Sequence, residues 1–130
     1  MIYLDTSALV KLVVRESGTD EMSDLVSEVG ADQLTSSVVT EIELVRAARR
    51  HDSRAVQGAR AVMGLLSLLP LTSAVTRYAA DLAPPSVRSL DAIHVASAAS
   101  VPGLRALVTY DRRLADAAGD AGLIVWSPGA

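Results

Sequence analysis

The chain has no cysteine and no phenylalanine, and its only lysine is Lys11. Without thiols there are no disulfides, no thiolate zinc site and no cysteine nucleophile; a reducing compartment, the cytoplasm, is the expected location. Aromatic residues make up 3% of the chain. That leaves little scope for stacking on nucleic-acid bases and demands an aliphatic core of Ala, Val and Leu. Long apolar runs are also missing: the longest, AVMGLLSLLPL, is too short to span a bilayer, and Met1 leads into IYLD without a basic leader. Neither export nor membrane insertion is expected.

What is present is 130 residues, enough for one domain, 1–130, with a real core. The formal charge of −3 argues against a general nucleic-acid coat, which would need a basic face. The positive charge is nearly all arginine, however, and Arg46, Arg49, Arg50, Arg54 and Arg60 fall in one region. This is a local basic stripe on an acidic protein.

Apolar periodicity divides the chain into alternating strands and helices. IYLD reads as a buried strand, and TSALVKLVVRE as a helix capped by Thr6 or Ser7. A helix ending at Gly30, a strand QLTSS and a helix VVTEIELVRAARR follow. DSRAVQGARAVMGLLSLL reads as a long fourth helix opened by Asp52 or Ser53, and LLPL as a strand cut short by Pro70. TSAVTRYAADL and LDAIHVASAAS are further helices, separated by the loop PPSVRS. RALVTYD is a strand, DRRLADAAGDAG a helix and LIVWS a last strand. Continuous apolar strands alternating with helices imply an α/β fold, a three-layer α/β/α sandwich with a mainly parallel central sheet. Ligands in such folds sit beyond the carboxyl ends of the strands, where strand order reverses.

Three acids stand where element types change: Asp5 after the first strand, Asp111 after RALVTY, and Asp91 at the start of LDAIHVASAAS. Each has an ordinary use as a helix cap, worth roughly 0.5 to 2 kcal/mol. Together they demand more, because carboxylates converging at ~4 Å repel by about 4 kcal/mol per pair at an effective dielectric near 20. A cation must offset that. All-oxygen ligands favour Mg²⁺ or Mn²⁺, ions that commonly activate water for phosphoryl displacement. The helix VVTEIELVRAARR offers Glu41 and Glu43 as a further ligand. These point roughly 200° apart, so only one faces the site, and apolar periodicity does not decide which. Arg46 and Arg50 share the Glu43 stripe, which suits either a phosphate substrate or a solvated, salt-bridged face.

The set MIYLDTSALVKL, SVVTEIELVRA, LDAIHVASA and LVTYDRRLADAA resembles the PIN-domain family, and within it the VapC toxins of bacterial toxin–antitoxin pairs. The resemblance runs almost from end to end. It implies an endoribonuclease site with an acidic quartet that binds Mg²⁺ or Mn²⁺, matched here by Asp5, Glu43, Asp91 and Asp111. The family pattern selects Glu43 over Glu41. It also implies that Thr6, Ser7 and Thr109 orient the acids, and that a VapB-type antitoxin and a toxin homodimer are partners. Leu9, Leu12, Val13 and Leu25 are candidates for lining a partner groove.

The reading that follows is hydrolysis of RNA phosphodiesters, with Asp5 and Asp91 as principal metal ligands and Glu43 and Asp111 completing the cluster. Arg46, Arg50 and Arg112 are candidates for holding phosphates. His94 shares a helix side with Asp91, but hard cations do not favour imidazole, so it is expected to pack or hydrogen-bond behind the ligands. A haloacid-dehalogenase-like phosphatase would need a second aspartate where Ser7 stands, and a receiver domain a lysine after a late strand; neither pattern is present. The alternatives are a PIN-fold RNA-binding or interaction module with weak or no nuclease activity, or a housekeeping PIN nuclease.

Overall fold

A computed structural model describes residues Met1–Ala130. Its strands are β1 (Ile2–Leu4), β2 (Leu34–Ser37), β3 (Ser67–Leu69), β4 (Ala106–Val108) and β5 (Val125–Trp126). Its helices are α1 (Thr6–Val13), α2 (Thr19–Val29), α3 (Val38–His51), α4 (Ala55–Leu65), α5 (Ser73–Asp81), α6 (Ser89–Ala99) and α7 (Arg112–Asp120). No helix is long and apolar enough to cross a membrane.

The strands form one sheet in the order β3-β2-β1-β4-β5. Every neighbouring pair is parallel, so the sheet expected to be mainly parallel is wholly so. Side chains of β1 alternate between its two faces. Ile2 and Leu4 join Ala8, Leu9, Met22, Leu44 and Met63 in a core beneath α1 to α4. Tyr3 joins Val95, Ala98, Leu107 and Leu114 in a second core beneath α6 and α7. Burial on both faces is why the strands read as unbroken apolar runs.

From β1 the chain steps outward to β2 and β3, then returns to lay β4 on the other side of β1. Strand order therefore reverses between β1 and β4, and a crevice opens beyond their carboxyl ends. Asp5 follows β1 directly, and Thr109, Tyr110 and Asp111 follow β4.

Several local expectations are corrected. The cap of α1 is neither Thr6 nor Ser7 but Asp5, whose Oδ1 accepts from the Ala8 amide at 2.9 Å. Asp52 does not open α4; it closes α3, and its carboxylate accepts from the Arg54 amide at 2.9 Å. Ser53 does not cap either, because Arg54 holds that position without a side-chain bond. The fourth helix is shorter than its periodicity predicts, since Ser67, Leu68 and Leu69 pair with β2 as a strand. Sheet pairing supplies those backbone groups with partners that an isolated apolar run cannot display in its pattern. Leu9 is fully buried in the core and offers nothing to a partner groove.

Candidate active site

Asp5 is 3% exposed, and its carboxylate is held on every side. Oδ1 accepts from the Ala8 amide at 2.9 Å and from Ser7 Oγ at 2.8 Å. Oδ2 accepts from Thr109 Oγ1 at 2.6 Å. Ser7 Oγ in turn accepts from the Tyr110 amide at 2.8 Å, and Thr109 Oγ1 from the Asp111 amide at 3.0 Å. The start of α1 is thereby tied to the end of β4. Burial pushes the Asp5 carboxyl above its ordinary value, against the opposing pull of Thr109, the Ala8 amide and Ser7.

Glu43 projects from α3 to the same crevice. Its Oε1 accepts from Thr6 Oγ1 at 2.9 Å and lies 2.7 Å from His94 Nε2. Burial alone would raise its pKa; the His94 hydrogen bond and charge, with the Thr6 hydroxyl, outweigh this and hold it below the ordinary value. Glu41, two positions earlier, is exposed. His94 is 3% exposed, and its Nδ1 lies 2.7 Å from the Tyr3 hydroxyl. Sequence reasoning did not single out Tyr3, which reads as one more apolar strand residue.

Asp91 lies in the first turn of α6, half-buried, with no hydrogen bond to either carboxylate oxygen in the structure. Its pKa is raised, first by burial and then by the charge of Asp111, with Glu43 adding to the effect and His94 and Arg88 opposing it. Asp111 caps α7 through Oδ1, which accepts from the Arg113 amide at 2.9 Å. Asp5 and Asp111 are thus helix caps as well as candidate site residues, whereas Asp91 caps nothing.

Two open cavities flank the acids. One, of about 390 Å³, is lined by Glu43, Thr6, Arg46 and Arg50, with Ile42 and Leu90 among its apolar residues. The other, of about 260 Å³, holds Asp91 together with Arg88 and Arg113. Of the three arginines expected at phosphates, Arg46 and Arg50 lie beside Glu43. Arg112 is exposed on α7 and lines neither cavity; its neighbour Arg113 does.

The donor set is entirely oxygen, which suits a hard divalent cation. No three carboxylates or histidines stand close enough to grip one ion in the side-chain positions of the structure. The acids are instead spaced around the crevice, yet Asp91 feels both Asp111 and Glu43. Asp91 keeps both oxygens free, and Glu43 Oε2 and Asp111 Oδ2 accept no hydrogen bond. By its chemistry the set fits Mg²⁺ or Mn²⁺, with waters completing the coordination.

A parallel sheet in this order, with acids gathered at its switch point, defines a class, and comparison with known proteins identifies it. The PIN domain model matches residues 2–120, and the chain belongs to the PIN-domain family. It is 40% identical over 134 residues to Ribonuclease VapC47 of Mycobacterium tuberculosis, covering 100% of this chain and 98% of that protein. The crystal structure of Mycobacterium tuberculosis VapC20, a sarcin-ricin loop cleaving toxin, superposes with a TM-score of 0.78 at 17% identity over 98% of this chain and 100% of that one. A toxin–antitoxin complex from Klebsiella pneumoniae superposes with a TM-score of 0.74 at 23% identity, over 98% of each chain.

Proposed function

We propose that this chain is the toxic component of a type II toxin–antitoxin pair, an endoribonuclease that hydrolyses RNA phosphodiester bonds with Mg²⁺ or Mn²⁺. The observation that supports the reading is that Asp5, Glu43, Asp91 and Asp111, from four separate elements, border the crevice where strand order reverses, with Asp91 within reach of the charges of Asp111 and Glu43. The relationship to a VapC ribonuclease along the whole chain supports it.

Asp5 and Asp91 would be the principal metal ligands, with Glu43 and Asp111 completing the set directly or through water. When bound, the cation would supply activation of water and neutralisation of the charge that develops at phosphorus. The remaining work falls to the chain. Ser7 and Thr109 fix the Asp5 carboxylate, and Thr6 fixes Glu43. Arg46 and Arg50 stand beside Glu43, where they would take backbone phosphates of a single strand. The partners in this reading are RNA, a VapB-type antitoxin that occludes the site, and a second copy of the chain; its setting is the cytoplasm.

The test is incubation of purified protein, freed of any antitoxin, with total RNA and Mg²⁺ or Mn²⁺. Cleavage at few sites is expected, abolished by EDTA and by Asp5→Ala or Asp91→Asn. Cleavage without metal, or undiminished activity in both variants, would overturn the mechanism. Growth arrest on expression, relieved by an adjacent small antitoxin gene, separates a toxin from a housekeeping nuclease. Harmless expression of folded protein that binds but does not cut RNA would indicate an interaction module.

A further inference from the structure

Behind Glu43 runs a chain of buried hydrogen bonds that the metal-ligand reading leaves unused. Tyr3 is fully buried, and its hydroxyl lies 2.7 Å from His94 Nδ1, 91 residues away in sequence. His94 Nε2 lies 2.7 Å from Glu43 Oε1, the oxygen that also accepts from Thr6 at 2.9 Å. The hydroxyls of Ser36 and Thr40, 2.7 Å apart, also neighbour the Tyr3 hydroxyl.

The partners of the His94 ring fix the direction of its bond to Glu43. An ionised Glu43 only accepts, so Nε2 must carry the hydrogen. On the other side of the ring, Nδ1 meets only the Tyr3 hydroxyl. A phenol hydroxyl carries its proton at neutral pH and can bond to the ring nitrogen. The opposite tautomer would aim a nitrogen lone pair at the Glu43 carboxylate and two N–H and O–H donors at each other unless Tyr3 also turned.

We infer that Tyr3 is a positioning residue for the nuclease site: its hydroxyl holds the His94 ring, and the ring's Nε2–H holds Glu43 in place. Resting on the nuclease reading, this deepens it by extending the site from the acids into the sheet, to a residue that touches no ligand or substrate. Partners that orient metal-site residues from behind typically matter by about 10–100-fold in affinity or activity.

The test is Tyr3→Phe, which keeps the edge-on packing of the two rings, 5.9 Å between centroids at 73°, and removes only the hydroxyl. Nitrogen-15 NMR of the imidazoles is tractable, because the chain has only His51 and His94. Wild-type His94 is expected to show a protonated Nε2, and Tyr3→Phe to shift the Nδ1 signal while Nε2 stays protonated. In RNA cleavage, Tyr3→Phe is expected to lower kcat about tenfold with KM unchanged. The loss should not add to that of His94→Gln, if Tyr3 acts only through the imidazole. A wild-type His94 with no proton on Nε2 would overturn the assignment, as would an unchanged His94 spectrum in the variant. A lower Tm with full kcat per folded molecule would reduce Tyr3 to a packing residue and overturn it equally. If the wild type cuts no RNA, the nuclease reading fails on its own, and the NMR arm still decides whether Tyr3 holds the imidazole.

Discussion

Thr109 donates its hydroxyl to Asp5 Oδ2 across 2.6 Å, joining the end of β4 to the start of α1 inside the protein. The residue therefore stabilises the fold and the site through one bond. Thr109→Val keeps the shape and removes the donor, leaving Asp5 Oδ2 with only the longer bond from Ser7 Oγ, 3.0 Å, and the Asp111 amide without its partner. A loss of about 1–3 kcal/mol is expected, read as a lower denaturation midpoint with unchanged slope. Cleavage should fall with it. Thr109→Ser, which retains the hydroxyl, should recover most of both; a Val variant as stable and active as the Ser variant would refute the role.

Asp91 and Glu43 should respond to pH with opposite signs in metal-free protein. Burial and then Asp111 hold Asp91 above the ordinary 3.8. Its contribution is complete below that value and lost as pH rises through the folded-state pKa. Asp91→Asn should therefore be more stable than metal-free wild type at neutral pH, by about 0.5 kcal/mol after solvent screening, with the gap closing below pH ~4. Added Mn²⁺ should raise the Tm of wild type and not of Asp91→Asn. Glu43 is the reverse: burial is outweighed by His94 and Thr6, and its pKa lies below the ordinary 4.5. Its contribution is present above that value and lost as pH falls through the folded-state pKa. Glu43→Gln should cost about 1 kcal/mol at neutral pH, and the difference should vanish in acid. Thermal melts of the three proteins between about pH 3 and 8 decide both signs.

What could be read from the sequence divides along the range of the interactions. Alternating apolar elements announced a covered parallel sheet, and Asp5, Asp91 and Asp111 stood out because each lies where one element gives way to the next. Local spacing could not choose between Glu41 and Glu43. That choice is made in the structure by Thr6 and His94, 37 and 51 residues from Glu43 in sequence. Strand β3 was legible as LLPL, ended by Pro70, but its start at Ser67 was lost in the apolar helical pattern because that bound depends on pairing with β2, a non-local fact. Tyr3 was hidden for a related reason: within IYL it fits a buried strand, and only the fold reveals that its hydroxyl faces a histidine. The caps were misjudged by one or two residues because Asp5 and Asp52 each satisfy backbone amides beyond the position that periodicity alone marks.

The arginines of α3 give the sharpest check on how the substrate lies. Arg46 and Arg50 are one turn apart on the same stripe as Glu43 and share its cavity, so a strand placed at the acids would run past both. Removing one phosphate-binding guanidinium should reduce the slope of log K against log salt by about 0.7 for single-stranded RNA. Arg46→Ala and Arg50→Ala are expected to show that change singly, with roughly twice the effect together, and to raise KM more than they lower kcat. Arg105 is the control. It precedes β4, at the opposite end of the sheet from Asp111, and its guanidinium lies 5.5 Å from the Trp126 ring centroid. Arg105→Ala should leave the salt slope untouched. Equal slopes in all three variants would mean that the strand does not follow α3, and would move the phosphate path to the Arg88 and Arg113 side of the acids.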